Sequence, residues 1–205
     1  MAQLRKQESS FKGTIGKTLN DSEPWFELPQ HPGEDAPKVV VVLLDDTGFA
    51  QLGCYGSSID TENIDNLAAD GMQFTNFHVT PLCSPTRASL LTGRSQHAVG
   101  MRSVSNFRTG FPHMLGHITN EAATMAEIFQ AEGYATFCAG KWHLAPMENC
   151  SSAGPFDQWP LGRGFDRFYG FLEGETDQFH PDLVRDNHSV QPPGKPEDGL
   201  SLIHI

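Results

Sequence analysis

The sequence lacks the marks of a membrane protein and of a nucleic-acid-binding protein. Its longest apolar run, Val39 to Leu44, is far too short to cross a bilayer. The first thirty residues do not have the basic-then-apolar order of a signal peptide. With 14 Lys and Arg against 25 Asp and Glu, the net charge of -11 argues against a nucleic-acid or anionic-membrane surface. We therefore expect a cytoplasmic protein with no nucleic-acid partner and no membrane partner.

Cysteine is also scarce. The four cysteines contain no C-x-x-C spacing, so neither a disulfide framework nor a structural zinc site is indicated. We find no internal repeat either. A chain of 205 residues with 38% hydrophobic content is long enough for one globular core with appendages.

The composition divides the chain into three parts. Residues 1–36 are polar and rich in proline, and predict an N-terminal arm that lies on a surface. Residues 37–198 predict the folded domain. The open stretch "QPPGKPEDG" runs into an abrupt apolar ending, "SLIHI", that resembles neither a helix cap nor a closing strand. We interpret the chain as a truncated piece and residues 199–205 as an end that is not native.

Helices alternate with strands through the middle of the chain. "KVVVVLLDD" predicts a strand buried on both faces of a parallel sheet. A helix capped by Thr61 and a strand over 72–79 follow, a second helix opens around Pro85, and a third helix stops at Gly133 before a strand running into Lys141. From Met147 onward we expect an irregular aromatic layer. This order predicts an α/β fold with a mostly parallel sheet flanked by helices.

Asp45 and Asp46 end the first predicted strand, at the edge where such sheets bind ligands. Two adjacent carboxylates repel each other unless a cation lies between them, so the pair predicts a site for calcium or, with less support, magnesium. The alternative is that one of the two aspartates only caps the next turn.

Cys83 precedes Ser84, Pro85, Thr86 and Arg87 at a predicted helix start. The free N–H groups of the helix and the guanidinium one turn later would lower the pKa of the thiol and could also bind an oxyanion. The alternative is a small buried hydrophobic residue, which is the commoner fate of a lone cysteine.

Lys141 and His143 leave the last predicted strand in "GKWHL", where Trp142 between them should face the core. Lysine offers a positive charge and histidine a hydrogen bond or a proton relay near neutral pH, although such a pair is often only surface decoration. Taken together, the three strand ends have the composition of a metal-assisted site for a tetrahedral anion.

Three motifs, in order, resemble those of the type I sulfatases, close to the bacterial arylsulfatases. "PLCSPTRASLLTG" is similar to the family's C-x-P-x-R motif, "GYATFCAGKWH" to its second motif, and "VVVVLLDDTGF" to its metal-binding strand. The resemblance implies an alkaline-phosphatase-like sandwich and an arylsulfatase-type activity on sulfate esters.

The resemblance also implies roles for single residues. Cys83 would be oxidised to formylglycine by a formylglycine-generating enzyme, and one hydroxyl of the hydrated aldehyde would attack the sulfur of the ester. In the family, the residue at the position of Arg87 holds the hydrated aldehyde. The residues at the positions of Lys141 and His143 contact the sulfate and the diol, respectively. Asp45 and Asp46, together with the formylglycine at position 83, would supply part of a calcium shell.

Part of the family's site has no counterpart in this sequence. The family's remaining metal ligands, an Asp-Asn pair, lie far downstream, as do a second histidine and a second lysine. We therefore predict that the chain alone is inactive. Two alternatives stay open: a phosphatase or phosphonate hydrolase of the same superfamily, since phosphate and sulfate are nearly isosteric, and a non-catalytic fragment in which Cys83 stays an unmodified thiol.

Overall fold

The computed structural model describes residues 11–26, 31–195 and 197. The expected non-native end, 199–205, lies outside the described residues. None of the helices in the described part is long and apolar enough to cross a membrane.

The chain forms two compact units, divided between Ala36 and Pro37. In the smaller unit, Thr14 and Glu23 pair as an antiparallel bridge, and a 3-10 turn at Leu19–Asp21 lies between them. The ring of Trp25 packs edge-on against Phe11. These contacts are local, because all four residues lie within a stretch of sixteen residues, about the length of one hairpin.

The described part of the larger unit contains three α-helices: α1 (Glu62–Asp70), α2 (Cys83–Thr92) and α3 (Met125–Ala131). Thr61 precedes α1 as predicted, although its hydroxyl bonds Asp65 instead of capping the helix. A capping box between Thr124 and Glu127 starts α3, with each side chain bonding the other's backbone N–H. Short 3-10 turns lie at Phe49–Gln51, Gly53–Tyr55, Met147–Asn149 and Leu161–Arg163.

One four-stranded sheet follows the helices, in the spatial order β1 (Phe137–Lys141), β2 (Arg167–Phe171), β3 (Leu183–Arg185) and β4 (His188–Val190). The β1/β2 pair is parallel, and the β2/β3 and β3/β4 pairs are antiparallel. The α/β class is therefore confirmed, but the sheet is mixed where we expected it to be mostly parallel.

Three expectations about strands need correction. The run Val39–Leu44 pairs with no other strand in the described part of the chain, and four successive valines in it are more than half exposed. Residues 72–79 form no strand either. Conversely, β2, β3 and β4 all lie in the region that we expected to be irregular. The first two segments have strand-forming residues, but a strand also needs a neighbour to accept its backbone hydrogen bonds.

The core lies between β1, β2 and the segments on either side of α3. Trp142, Trp159 and Phe168 are its largest members, each at most 2% exposed. The indole N–H of Trp142 donates to the carbonyl of Gln158, so its one polar group is satisfied in the interior. The predicted inward orientation of Trp142 is thus confirmed. The buried Trp142 side chain anchors the end of β1, where Lys141 and His143 lie on either side of it.

Candidate active site

Helix α2 carries the first two residues of the site. Cys83 is its first residue and Arg87 lies four positions later, so the two side chains share one face of the helix. Ser84, the residue after Cys83, is completely buried and anchors the start of the helix in the protein. The helix ends at Thr92, and the next residue, Gly93, has a φ of 64°, the left-handed conformation that closes a helix with little strain in glycine.

The end of β1 carries the next two residues. Lys141 is the last residue of the strand and pairs in register with Phe171. Beyond it, the backbone N–H of His143 donates to the carbonyl of Leu172 at 2.9 Å, so the ladder with the segment after β2 continues past the strand. His143 has a φ of 52°, in the left-handed region that costs energy for a residue with a Cβ. Such strain persists only where the surroundings hold the residue in place.

An ionic cluster joins the helix, the strand end and the aspartate loop. Lys141 Nζ lies 2.6 Å from one carboxylate oxygen of Asp45, and Arg87 Nη2 lies 3.5 Å from the other. A second guanidinium nitrogen of Arg87 donates to the backbone carbonyl of Lys141 at 2.5 Å. Partial burial alone would raise the pKa of the Asp45 carboxyl, but the hydrogen bond and charge of Lys141, with the charge of Arg87, lower it below its ordinary value.

A second contact group is built around His143. Its Nδ1 lies 3.1 Å from Cys83 Sγ, and its Nε2 lies 2.6 Å from Oδ1 of Asn106. The histidine is 4% exposed. Burial, followed by the positive charges of Lys141 and Arg87, lowers the pKa of His143 to about 4, so the ring is neutral at pH 7.

Close packing also confines the His143 ring. A Cβ placed on Gly174 would lie 2.7 Å from Cε1 of the ring and 2.9 Å from Nε2. A side chain at this position would therefore collide with the histidine. We conclude that residue 174 is glycine for lack of space, since its φ is not in the left-handed region.

The structure thus links five of the six predicted site residues through contacts: Cys83 with His143, and Asp45 with Arg87 and Lys141. Asp46 is exposed, has a φ of 52°, and makes no ion pair with the others in the described part of the chain. The sequence analysis missed Asn106 and Gly174. Asn106 lies in an irregular segment 37 residues before the histidine, and no local pattern indicates such a contact.

The described residues match a calcium site only in part. Carboxylate oxygens are the ligands that a hard cation prefers, and six to eight oxygens are usual for calcium. Both carboxylate oxygens of Asp45 already contact the charged side chains of Arg87 and Lys141. Within residues 11–26, 31–195 and 197, no group of three or more His, Cys, Asp or Glu side chains could hold a metal ion. Asp45 and Asp46 have the right chemistry for such an ion but do not complete its shell.

Comparison with known proteins identifies the family. The family model described as "Sulfatase" matches residues 37–201. Among curated proteins, human arylsulfatase D is 40% identical over 154 residues, which are 72% of this chain and 26% of that protein. Human arylsulfatase A is 40% identical over 169 residues, or 80% of this chain and 30% of that protein. The chain belongs to the sulfatase family.

Solved structures agree on the fold. The structure of Ps i-CgsB aligns with a TM-score of 0.61 at 27% identity, covering 76% of this chain and 37% of that one. A Bacteroides thetaiotaomicron protein, described with the metabolism of multiple glycosaminoglycans, aligns with a TM-score of 0.54 at 30% identity, covering 71% of this chain and 30% of that one. The alkaline-phosphatase-like α/β fold is thereby confirmed for the part that matches. The chain spans between about a quarter and two fifths of the length of these relatives.

Proposed function

We propose that this chain supplies the nucleophile and the sulfate-binding cations of a sulfate-ester hydrolase of the arylsulfatase type. The observation that carries the proposal is the contact of Cys83 Sγ with His143 Nδ1 at 3.1 Å. Cys83 is the first residue of a helix, and two nearly buried cations lie on that helix and on the strand end before His143. The helix start contributes free N–H groups that attract an anion. A nucleophile, a proton acceptor and cations are thereby within reach of one tetrahedral anion.

The cations are arranged to bind a sulfate group. Arg87 and Lys141 are nearly buried, at 12% and 10% exposure of their side chains, and share the single carboxylate of Asp45. Two positive charges against one negative charge leave an excess of positive charge in this cluster, whose Arg87 lies one helical turn after Cys83. Because both side chains are held by hydrogen bonds before any ligand arrives, they need little rearrangement to stabilise the charge of a sulfate ester.

Cys83 is the residue that we propose is converted to formylglycine by a formylglycine-generating enzyme. In the conversion the C–S bond breaks, the sulfur leaves as hydrogen sulfide and an oxygen atom takes its place on Cβ. Cβ loses two electrons, which are taken up by molecular oxygen, the oxidant that the generating enzyme would use. Hydrated formylglycine would supply a hydroxyl nucleophile for attack on the ester's sulfur. His143, neutral at pH 7, can accept a proton at Nδ1 from the side chain at position 83.

Asp45 and Asp46 are the residues that we propose hold part of a calcium ion's shell. A calcium ion there would withdraw negative charge from a sulfate oxygen. Since the described residues do not complete the shell, the chain by itself should bind the ion weakly and should not turn over substrate.

The first experiment tests the modification of Cys83. The chain is co-expressed with a formylglycine-generating enzyme, and the tryptic peptide 39–87 is sequenced by mass spectrometry. We expect the mass decrease of CH₂SH to CHO at Cys83 and none at Cys54, which lies in the same peptide outside the motif and serves as the internal control. The Cys83→Ser chain is the matched variant. An unmodified thiol at Cys83 would favour the non-catalytic alternative and defeat the proposal.

The second experiment tests the reaction. The hydrolysis of aryl sulfate and of aryl phosphate is compared for two proteins. One is the modified chain, and the other is a longer polypeptide that extends it with the family's Asp-Asn pair, second histidine and second lysine. We expect no turnover by the chain, and sulfate hydrolysis that exceeds phosphate hydrolysis in the longer polypeptide. A preference for phosphate would instead support the phosphatase alternative.

A further inference from the structure

Asn106 has a contact that its sequence position does not suggest. Asn106 lies in the irregular segment between α2 and α3 and is exposed, so core packing does not account for the contact. Its Oδ1 nevertheless lies 2.6 Å from Nε2 of His143, a short hydrogen bond. The opposite nitrogen of the same ring faces Cys83 at 3.1 Å. The imidazole therefore bridges Asn106 and the proposed nucleophile.

The backbone beside Asn106 is tied to the helix that carries Cys83. The N–H of Ser105 donates to the hydroxyl of Ser84 at 3.2 Å. Both serines are buried, at 2% and 0% exposure. Ser105 is the neighbour of Asn106, and Ser84 is the neighbour of Cys83. This bond ties the segment that contains Asn106 to the start of the helix that carries Cys83.

The chemistry of the amide determines where the ring carries its hydrogen. A carboxamide oxygen can only accept a hydrogen bond, so its partner Nε2 must be the protonated nitrogen. A neutral imidazole has one N–H, and Nδ1 then presents a lone pair to the side chain at position 83. The other tautomer would place two acceptors 2.6 Å apart at Asn106 and remove the acceptor from the nucleophile.

We propose that Asn106 is a positioning residue that fixes the Nε2–H tautomer of His143 and thereby makes Nδ1 the proton acceptor for the side chain at position 83. When a hydroxyl at that position gives up its proton, the O–H bond breaks, the electron pair stays on oxygen, and the N–H bond forms at Nδ1. The proposal rests on the proposed function for its catalytic meaning, but the tautomer itself does not.

The tautomer is measured directly on the complete 205-residue chain. Long-range ¹H–¹⁵N correlation spectra of the imidazole distinguish a protonated from an unprotonated ring nitrogen, and His143→Gln assigns the signal. We expect protonated Nε2 and unprotonated Nδ1 in the unaltered chain. Asn106→Asp keeps an acceptor oxygen in place and should keep this tautomer, whereas Asn106→Leu removes the acceptor and should give a mixture.

Two results would overturn the proposal: a protonated Nδ1 in the unaltered chain, or an unchanged tautomer in Asn106→Leu. Amide spectra establish that each variant is folded, and Asn106→Ser replaces Asn106→Leu if the latter is not. These spectra require neither formylglycine nor turnover. Failure of the proposed function would be detected separately, as an unmodified Cys83 in the mass spectrum of the peptide 39–87.

Activity supplies the second readout, in the longer polypeptide that hydrolyses aryl sulfate. A general base contributes about 10²–10⁴-fold to a rate, and a mixed tautomer forfeits part of that. For Asn106→Leu we expect kcat to fall at least about tenfold with KM nearly unchanged, and Asn106→Asp should retain most of kcat. An equal loss in both variants, or a change confined to KM, would contradict a positioning role.

Discussion

Gly174 offers a direct test of how tightly the histidine is held. In Gly174→Ala, the new Cβ would lie 2.7 Å from Cε1 of His143, whereas carbon atoms at van der Waals contact are about 3.5 Å apart or more. Relief requires a movement of roughly 0.8 Å by the ring or by the backbone at residue 174. The ring cannot move that far without lengthening its hydrogen bond to Asn106 or its contact with Cys83.

We expect Gly174→Ala to lower the free energy of unfolding by about 1–3 kcal/mol, the usual range for an overpacked site. Urea unfolding of the 205-residue chain measures it. Gly48→Ala is the matched control, because a Cβ there meets only the flexible end of Gln51 at 3.4 Å. This variant should stay within about 0.5 kcal/mol of the unaltered chain.

The ring itself provides the second readout. The imidazole signals of His143 should shift in Gly174→Ala and stay in place in Gly48→Ala, since only the first substitution reaches the ring. If the two variants are equally stable and the signals do not move, the confinement of His143 by residue 174 is refuted.

Three further predictions concern charge. His143 takes up a proton near pH 6.5 in the unfolded chain but only near pH 4 in the folded chain, because its pKa is lowered by folding. The free energy of unfolding should therefore fall by about 3 kcal/mol as the pH drops from 6.5 to 4. His143→Gln should flatten the dependence of the urea midpoint on pH. Lys141→Met removes the hydrogen bond at 2.6 Å, so the pKa of Asp45 should rise, as ¹³C carboxyl titration would detect; an unchanged value would contradict the cluster. Arg163→Met leaves two backbone carbonyls without their buried donor and should cost about 3 kcal/mol in urea unfolding, against less than about 1 kcal/mol for the exposed Arg167→Met; equal costs would refute this ranking.

Local signals in the sequence were sufficient for the helices. Thr61 before α1, Pro85 in the first turns of α2 and Gly133 after α3 mark helix ends through short-range geometry, which depends little on the rest of the protein. The contacts of Lys141 with Asp45 and of Cys83 with His143 join elements that the sequence analysis had placed at neighbouring strand ends.

Sheet pairing was beyond local signals. The aromatic segment around Phe168 gave no alternation of apolar and polar residues, yet it forms β2 because it lies against β1, thirty residues away in sequence. Val39–Leu44 has ideal strand composition but no partner in the described part of the chain. Composition reports the tendency of a segment to be extended and buried, whereas pairing depends on which neighbour is present. The Asn106 contact is non-local in the same way.

The exposed valines also lead to a prediction about how the chain behaves in solution. Val39–Leu44 has high β propensity, no proline and no charge, which is the composition of segments that start intermolecular β-stacking. Lys38 precedes it and Asp45 and Asp46 follow it, in the position of charged gatekeepers that keep such segments apart. We expect that neutralising both aspartates will promote self-association. When these carboxylates are changed in the longer polypeptide, any loss of activity must therefore be measured on material shown to be monodisperse.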